Sequence, residues 1–164
     1  MTGHIRISAI DKTGSPFEIR SFKQEEKPLL EEMYDIFTPK ASFQGIPPED
    51  RGVRLRWIEG LIRDGENFLA WQGEKVVGHV VILADPVRYD AEYLIFVDHS
   101  HRGRGVGKEL TDTAIRKARD LGLKTVWLTV DSYNFRAIRL YKKVGFELLE
   151  DHILATERVM IMKL

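Results

Sequence analysis

The sequence predicts an α/β (α+β) protein with a mixed sheet flanked by helices. Hydrophobic periodicity divides the 164 residues into the order β-α-α-β-β-β-α-β-α-β-β. The long helix predicted over 106–121 lies between two apolar runs, 91–97 and 123–130, which fits a crossover between strands of one sheet. We expect a single domain over residues 1–164, with 1–15 as a weakly patterned lead-in.

Composition narrows the class of protein. Hydrophobic residues make up 43% of the chain and charged residues 30%, which is typical of a globular protein. The 25 basic and 25 acidic residues give a formal net charge of zero, which argues against nucleic acid as a partner. The absence of cysteine excludes disulfides and a thiolate nucleophile.

No apolar run approaches the ~20 residues of a membrane span, and the N-terminus lacks the apolar core of a secretion signal. The expected location is therefore the cytoplasm, with no membrane partner.

The first half of the chain predicts a strand, a helix and a hairpin. Residues 17–21 alternate as a strand does, and a helix starts at Pro28, where a missing N–H costs little. The apolar stripe of this helix consists of Leu29, Leu30, Met33, Ile36 and Phe37. Residues 67–71 and 75–83 predict two hairpin strands. Gly78 inside the second of these strands indicates a bulge or close packing.

The connection over 38–48 is rich in proline and glycine and carries two apolar side chains, Phe43 and Ile46. A second helix is expected to begin at 47 or 48 and to run to about 63. Its apolar residues expected in the core are Val53, Trp57 and Leu61.

A glycine-rich loop follows the apolar run 93–97. Polar residues 98–102 lead to glycines at 103, 105 and 107, and then into a helix. The apolar face of that helix consists of Val106, Leu110, Ala114, Ala118 and Leu121. The first N–H groups of a helix lack partners and favour negative charge, and glycine lets a phosphate approach the backbone. The cations at the same place are Arg102, Arg104 and Lys108.

Two common phosphate motifs do not fit this loop. A Walker A loop needs glycine at 102 and Ser or Thr at 109, where the chain has Arg102 and Glu109. The dinucleotide fingerprint needs G-x-G-x-x-G, whereas these glycines are spaced two and two. The pattern that fits is Arg/Gln-x-x-Gly-x-Gly over 102–107. Taken alone, the loop also fits a surface turn rich in glycine and arginine.

A second motif lies before the closing strands, which are expected at 146–150 and 157–162. Residues 134–146 contain the motif Asn134, Ala137, Leu140, Tyr141, Gly145 and Phe146. With the glycine loop, this segment resembles the GNAT N-acetyltransferases, which use acetyl-CoA, and the resemblance covers roughly 17–163. It implies a mostly antiparallel central sheet that is splayed between its fourth and fifth strands, 91–97 and 123–130.

The resemblance also implies a set of cofactor-binding residues. The main chain of Ile95, Phe96 and Val97 is expected to pair with the pantetheine arm of acetyl-CoA, as an added strand would. The main chain of Gly103, Arg104, Gly105, Val106, Gly107 and Lys108 is expected to hold the pyrophosphate. Arg102 occupies the Arg/Gln position of the family motif, Asn134 is expected to contact the cofactor arm through its amide, and Tyr141 is expected to lie near the thioester sulfur.

Acetyl transfer to an amine needs a neutral amine, a stabilised oxyanion and a protonated leaving thiolate. Tyr141 is a candidate acid for the thiolate; the alternative is a core aromatic, since Tyr141 shares a face with Ile138 and Val144. Glu92 is a candidate base, because strand alternation places it on the face of Leu94. The alternative for Glu92 is a solvated residue at a strand end. The Ala91-Glu92 pair is similar to bacterial protein lysine acetyltransferases.

The histidines predict no metal site. His99 and His101 have a spacing that could share a metal, but no third ligand is apparent, and loop positions near phosphate or solvent are expected instead. His79 lies in an apolar strand and is expected to be a hydrogen-bonded core residue.

The sequence thus predicts direct transfer of an acetyl group from acetyl-CoA to a primary amine, with a protein or peptide lysine favoured as acceptor. The alternatives are a small-molecule amine acetyltransferase and a non-catalytic acyl-CoA sensor on the same fold. A nucleic-acid module would have to use the basic residues Arg102, Arg104, Lys108, Arg136 and Arg139, and zero net charge weighs against it. A homodimer is a further expectation, since dimers are common in the family.

Overall fold

The computed structural model describes residues 3–40, 46–153 and 156–164. Within them, eight strands form one sheet in the order β1-β2-β3-β4-β5-β6-β8-β7. The strands are β1 (Arg6–Ile10), β2 (Pro16–Ser21), β3 (Glu66–Gln72), β4 (Lys75–Asp85), β5 (Asp90–Val97), β6 (Thr125–Asp131), β7 (Glu147–Ile153) and β8 (Glu157–Lys163). The α-helices are α1 (Lys27–Ile36), α2 (Arg51–Asp64), α3 (Val106–Asp120) and α4 (Phe135–Val144).

The sheet is antiparallel at every junction except that of β5 with β6. These two strands are parallel and are joined by the α3 crossover, as the sequence predicts. Their pairing is limited to residues 90–92 against 125–127, whereas β4 and β5 pair along the whole of β5. The strands therefore diverge beyond Glu92, and the predicted splay between the fourth and fifth predicted strands is confirmed.

Helices cover both faces of the sheet. We call the face against α3 and α4 the α3 face; its core includes Tyr93, Leu110, Val126, Ile138 and Phe146. We call the opposite face, against α1 and α2, the α1 face; its core includes Leu30, Tyr34, Phe37, Leu69 and Phe96. Alternation along β5 gives each face its own set of side chains, with Tyr93 on the α3 face and Leu94 and Phe96 on the α1 face.

The N-terminal segment differs from the prediction. Residues 6–10, expected to belong to an unpatterned lead-in, form the edge strand β1 and pair with β2. Ile7 and Ala9 pack against the core, while Ile10 points outward and is 73% exposed. This exposed isoleucine obscures the alternation that would have identified the strand.

The two N-terminal helices also differ in detail. Helix α2 begins at Arg51, because Asp50 caps it by accepting the Val53 N–H at 2.8 Å. Leu61 is buried as expected and Trp57 is partly buried, but Val53 is 44% exposed. Its place on the inner face is taken by Arg54, whose guanidinium donates to Asp35 and to the carbonyls of Pro48 and Glu49. In α1, Leu29 and Ile36 are likewise exposed.

Gly78 shows both features that its place in a strand predicts. The pairing of β3 with β4 shifts at Ala70, which leaves Val77 as an extra residue beside Gly78. A Cβ at Gly78 would lie 2.8 Å from Leu110 Cδ1, so α3 packs closely on this point of the sheet. This close packing fixes the position of α3 against the sheet, and with it the position of the loop that precedes α3.

Candidate active site

The edge of β5 that faces the splay is open. The Asp98 N–H donates to the Val77 carbonyl on β4, and His79 pairs with Phe96 in the same ladder. Because an antiparallel strand turns alternate residues toward each neighbour, the main chain of Phe96 is used by β4. The main-chain groups of Ile95 and Val97 are turned the other way, toward the gap. Two of the three residues predicted for the pantetheine arm therefore lie on the open edge.

The glycine loop lies beside this edge. Gly103 and Gly105 have φ of +74° and +97°, a region that favours glycine. The N–H of Glu109 bonds to the Gly105 carbonyl, so the preceding helical N–H groups have no partner inside α3. A Cβ at Gly107 would lie 3.7 Å from the Val97 side chain, whereas one at Gly105 would meet no atom within 4 Å. The loop presents backbone donors and open space next to the end of β5.

Four cations surround the loop. Lys108 pairs with Asp112 at 2.8 Å, and Arg104 Nη1 lies 3.9 Å from an Asp11 oxygen. The guanidinium of Arg136, on α4, lies 4.0 Å from where a Cβ at Gly103 would stand. Arg136 was not among the residues predicted for cofactor binding, since only the packing of α4 brings it to the loop.

Arg102 is arranged differently from the other three. Its side chain donates to the main-chain carbonyls of Val97 and Thr38. Burial is the main cause that lowers the pKa of this guanidinium; the charge of Asp98 acts in the opposite direction, and repulsion from Arg136 lowers the pKa further. The Arg102 side chain thus contacts two separate segments of the main chain, one at the end of β5 and one just after α1.

Tyr141 lies at the splay on the α3 face. Its ring packs edge-on against Tyr93 at 6.2 Å between centroids and against Phe146 at 5.9 Å. Burial raises the pKa of Tyr141 to about 12, so the hydroxyl keeps its proton at neutral pH. Within the described residues, this hydroxyl has no hydrogen-bond partner, while the Tyr93 hydroxyl is bonded to Thr111 at 2.6 Å. Tyr141 thus packs in the core, and its hydroxyl stays protonated at neutral pH; its role as an acid remains a prediction.

Asn134 caps α4. Its Oδ1 accepts the Ala137 N–H at 3.2 Å, which is the usual role of asparagine at a helix start. The side-chain NH₂ makes no hydrogen bond within the parts of the chain that the structure describes. The amide donor predicted to contact the cofactor arm is therefore still available, on an exposed residue.

Glu92 lies on the α1 face, at the last pair before the strands part. Its partner across the parallel ladder is Trp127 of β6, and both side chains are half-buried. Burial raises the pKa of Glu92 above its ordinary value. Trp127 was not predicted as a site residue, because the register of two parallel strands cannot be read from either strand alone.

His79 and His101 are hydrogen-bonded structural residues. His79 is fully buried, and burial lowers its pKa to about 3, so the ring is neutral. Asn67 Oδ1 is 2.7 Å from Nε2, and the Tyr34 hydroxyl is 2.6 Å from Nδ1. His101 lies between Asp98 and Gln72. Across the described ranges, no three histidine or acidic side chains are grouped closely enough to hold a metal ion.

Comparison with known proteins gives the family. Residues 30–146 match the acetyltransferase (GNAT) family. The chain belongs to this family. The mycothiol acetyltransferase of Geodermatophilus obscurus is 33% identical over 100 residues, which cover 57% of this chain and 32% of that protein. The chain thus spans about a third of the length of this curated relative.

Solved structures agree with the fold. The GNAT domain of S. lividans PAT superposes with a TM-score of 0.84 at 15% identity, covering 97% of each chain. The yncA structure from Salmonella typhimurium, solved with its cofactor acetyl-CoA, has a TM-score of 0.68 at 21% identity and covers 90% of this GNAT chain and 93% of that one. Among the described helices, none is both long and apolar enough to span a membrane.

Proposed function

We propose that this GNAT protein is an acetyl-CoA-dependent N-acetyltransferase that moves an acetyl group directly to a primary amine. One observation carries the proposal: beyond the point where β5 and β6 part, the open edge of β5 runs from a protonated Tyr141, which packs against Tyr93, to the glycine loop beside Ile95 and Val97. Family membership supports the same reaction.

The residues present fit acetyl-CoA. Ile95 offers its main-chain groups along the gap and Val97 offers its N–H, as an added strand would need, while the Val97 carbonyl already accepts from Arg102 Nε. The free N–H groups at the start of α3 and the open space over Gly105 suit a pyrophosphate. Arg104, Lys108 and Arg136 add positive charge, and Asn134 adds an amide donor. When bound, acetyl-CoA supplies the activated acetyl group.

The chain's own residues supply the proton transfers. Glu92 accepts a proton from the acceptor ammonium, directly or through water, and so provides the neutral amine that attacks the thioester carbon. The new C–N bond forms, the nitrogen releases its second proton to solvent, and the C–S bond breaks. Tyr141 donates its phenolic proton to the departing thiolate and regains one from solvent. Because the nucleophile is the amine itself, no acetylated enzyme is formed.

The acceptor side favours a cationic amine. Glu92 provides a carboxylate, and Trp127 beside it provides an aromatic surface that attracts cations. We therefore favour a protein or peptide lysine over a small amine. Of the two apolar residues predicted in the acceptor-side connection, Ile46 is half-buried, while Phe43 lies outside the described residues.

The test is release of CoA thiol from acetyl-CoA with separate pools of lysine peptides, polyamines, amino acids and aminoglycosides. Release that depends on an amine supports the transferase, and preference for the peptide pool supports the lysine proposal. Turnover of small amines alone would contradict the lysine proposal. Binding of acetyl-CoA without turnover in any pool would favour the sensor alternative.

A further inference from the structure

The guanidinium of Arg102 joins two segments that are far apart in the sequence. Its Nε donates to the carbonyl oxygen of Val97 at 2.9 Å, and its Nη2 donates to that of Thr38 at 2.6 Å. Val97 ends β5, the proposed pantetheine-binding strand, and Thr38 follows the C-terminal end of α1. Arg102 therefore links the cofactor edge of the sheet to the helix on the acceptor side.

The hydrogen-bond partners of Arg102 are two neutral carbonyl groups. Within the described residues, no carboxylate oxygen lies within 4 Å of the Arg102 guanidinium. A charged donor makes a stronger hydrogen bond to a carbonyl than a neutral donor does. The flat group also lies over the Phe37 ring, with its carbon 5.1 Å from the ring centroid.

The α1 end of the link is anchored in the core. Phe37 is buried, and its ring packs edge-on against Phe96 at 5.7 Å and at a tilt against Tyr34 at 6.0 Å. Thr38 is thus fixed on one side by the hydrophobic core and on the other side by Arg102. Loss of the Arg102 contact would leave Thr38, which is exposed, without a side-chain partner of its own among the described residues; it would be held through Phe37 on one side and through Lys40, which donates to the Asp35 carbonyl at 2.7 Å, on the other.

The β5 end of the link is continuous with the glycine loop, since Gly103 directly follows Arg102. The N–H groups proposed to hold the pyrophosphate belong to 103–108 and are different donors from Nε and Nη2 of Arg102. An anion in the loop can bind without displacing either carbonyl contact. A guanidinium has five N–H groups, and within the described residues the carbonyls use only two of those of Arg102. The remaining N–H groups can face the anion, which then holds the guanidinium in place while both carbonyl contacts stay.

We propose that Arg102 is a positioning residue that couples binding of acetyl-CoA to the placement of Thr38 and the C-terminal end of α1. The inference rests on the proposed function, because it needs the CoA phosphates in the glycine loop. It gives Arg102 a task other than that of a simple phosphate ligand: the two binding sites of the reaction are linked through this one side chain.

Trypsin cleavage after Lys40 provides a test that needs no acceptor. Lys40 lies two residues beyond Thr38, and the fragment that begins at Ala41 can be followed by mass spectrometry with and without CoA. We expect saturating CoA to slow this cleavage in the wild type by at least about fivefold. In Arg102→Gln at saturating CoA, the slowing is expected to be less than about twofold.

Arg136→Gln is the matched control, because it removes the same type of cation from beside the same loop without touching Thr38. It is expected to weaken CoA binding but to keep the protection of Lys40 at saturation. Arg102→Lys keeps the charge with one donor nitrogen, cannot span both carbonyls, and is expected to lose protection as Arg102→Gln does. If circular dichroism shows that Arg102→Gln does not fold, Arg102→Lys is the variant that tests the proposal.

Calorimetric titration with CoA separates the possible failures. Full protection in both Arg102 variants would overturn the positioning role, as would wild-type protein that binds CoA without protection of Lys40. Wild-type protein that does not bind CoA would overturn the proposed function, and this inference with it.

Discussion

Glu92 and Trp127 form the last pair of the parallel ladder between β5 and β6, and their side chains lie on the same face of the sheet. One residue further along β5, Tyr93 points to the opposite face and contacts the Tyr141 ring. The proposed base and the proposed acid thus lie on opposite faces of the sheet, next to the point where β5 and β6 part. In the proposed mechanism, the amine loses its proton on one face and the thiolate gains one on the other.

Tyr141→Phe removes the proton donor and keeps the ring that packs against Tyr93 and Phe146. We expect kcat to fall by roughly 10²-fold, at the lower end of general acid–base effects. The affinity for acetyl-CoA is expected to change little, because the hydroxyl acts mainly on the leaving thiolate. Steady-state kinetics and calorimetry measure the two quantities. Tyr133→Phe is the control, since that side chain is 75% exposed. An unchanged kcat in Tyr141→Phe would leave Tyr141 as a core residue only.

Glu92→Gln tests the base through pH. The acceptor ammonium needs a base most at low pH, but Glu92 can serve only while it is ionised, so kcat/KM is expected to drop most just above the pKa of Glu92 and least near the pKa of the amine. In the wild type, activity is expected to fall as pH drops through the pKa of Glu92, which burial places above the ordinary value. Glu74→Gln, in the exposed β3–β4 turn, is the control. Identical pH profiles for Glu92→Gln and the wild type would remove Glu92 from the mechanism.

The Glu92→Gln substitution is also expected to change the stability of the folded protein. The pKa of Glu92 is raised in the folded state, so its contribution to stability is present at low pH and is lost as pH rises through the folded value. At neutral pH the ionised carboxylate is therefore unfavourable to folding. We expect the Tm of Glu92→Gln to equal or exceed that of the wild type at neutral pH. A clear fall in Tm would show that the carboxylate has a stabilising partner.

Gly105→Val should abolish acetyl-CoA binding. The new side chain enters the space over the loop, and a φ of +97° strains any L-residue by about 1–2 kcal/mol. Gly73→Val is the control, because Gly73 has a φ of +61° and also has no atom within 4 Å of a new Cβ. Denaturant unfolding should show similar losses in both variants, and calorimetry should show loss of binding in Gly105→Val alone. Normal binding in Gly105→Val would exclude the loop from the cofactor site.

We expect the buried, neutral His79 to make the folded protein less stable in acid. Its pKa is lowered to about 3 in the folded protein, while the unfolded chain takes up a proton near 6.5. Stability is therefore full above the unfolded value and is lost as pH falls from there toward 3, by up to about 5 kcal/mol. Denaturant unfolding of His79→Gln should show a weaker dependence on pH over this interval. Parallel pH profiles for the two proteins would contradict the assignment.

Local sequence patterns predicted most of the elements and their order. The crossover, the loop glycines and the burial of Ala114 and Ala118 follow from periodicity and turn chemistry. Edge strand β1 was missed because Ile10 is exposed where alternation predicts a polar residue. The start of α2 was misplaced because the capping contact of Asp50 outweighs the preference of proline for the first turn.

The candidate site was less predictable where it depends on long-range contacts. The pairing of Glu92 with Trp127 depends on the register of β5 against β6, which no local pattern encodes. The contact of Arg102 with Thr38 joins residues 64 positions apart. Both contacts arise from tertiary packing, whereas the donors of the glycine loop follow from the local chain conformation.

The most direct measurement is thiol release from acetyl-CoA by the wild-type protein, with mass analysis of both the protein and the added amine. Direct transfer predicts that release requires an amine, that the acetyl group appears on that amine, and that the protein mass stays unchanged when acetyl-CoA is added alone. Bound acetyl-CoA with no amine-dependent release in any amine class would contradict the account, as would an acetylated protein that passes its acetyl group to the amine.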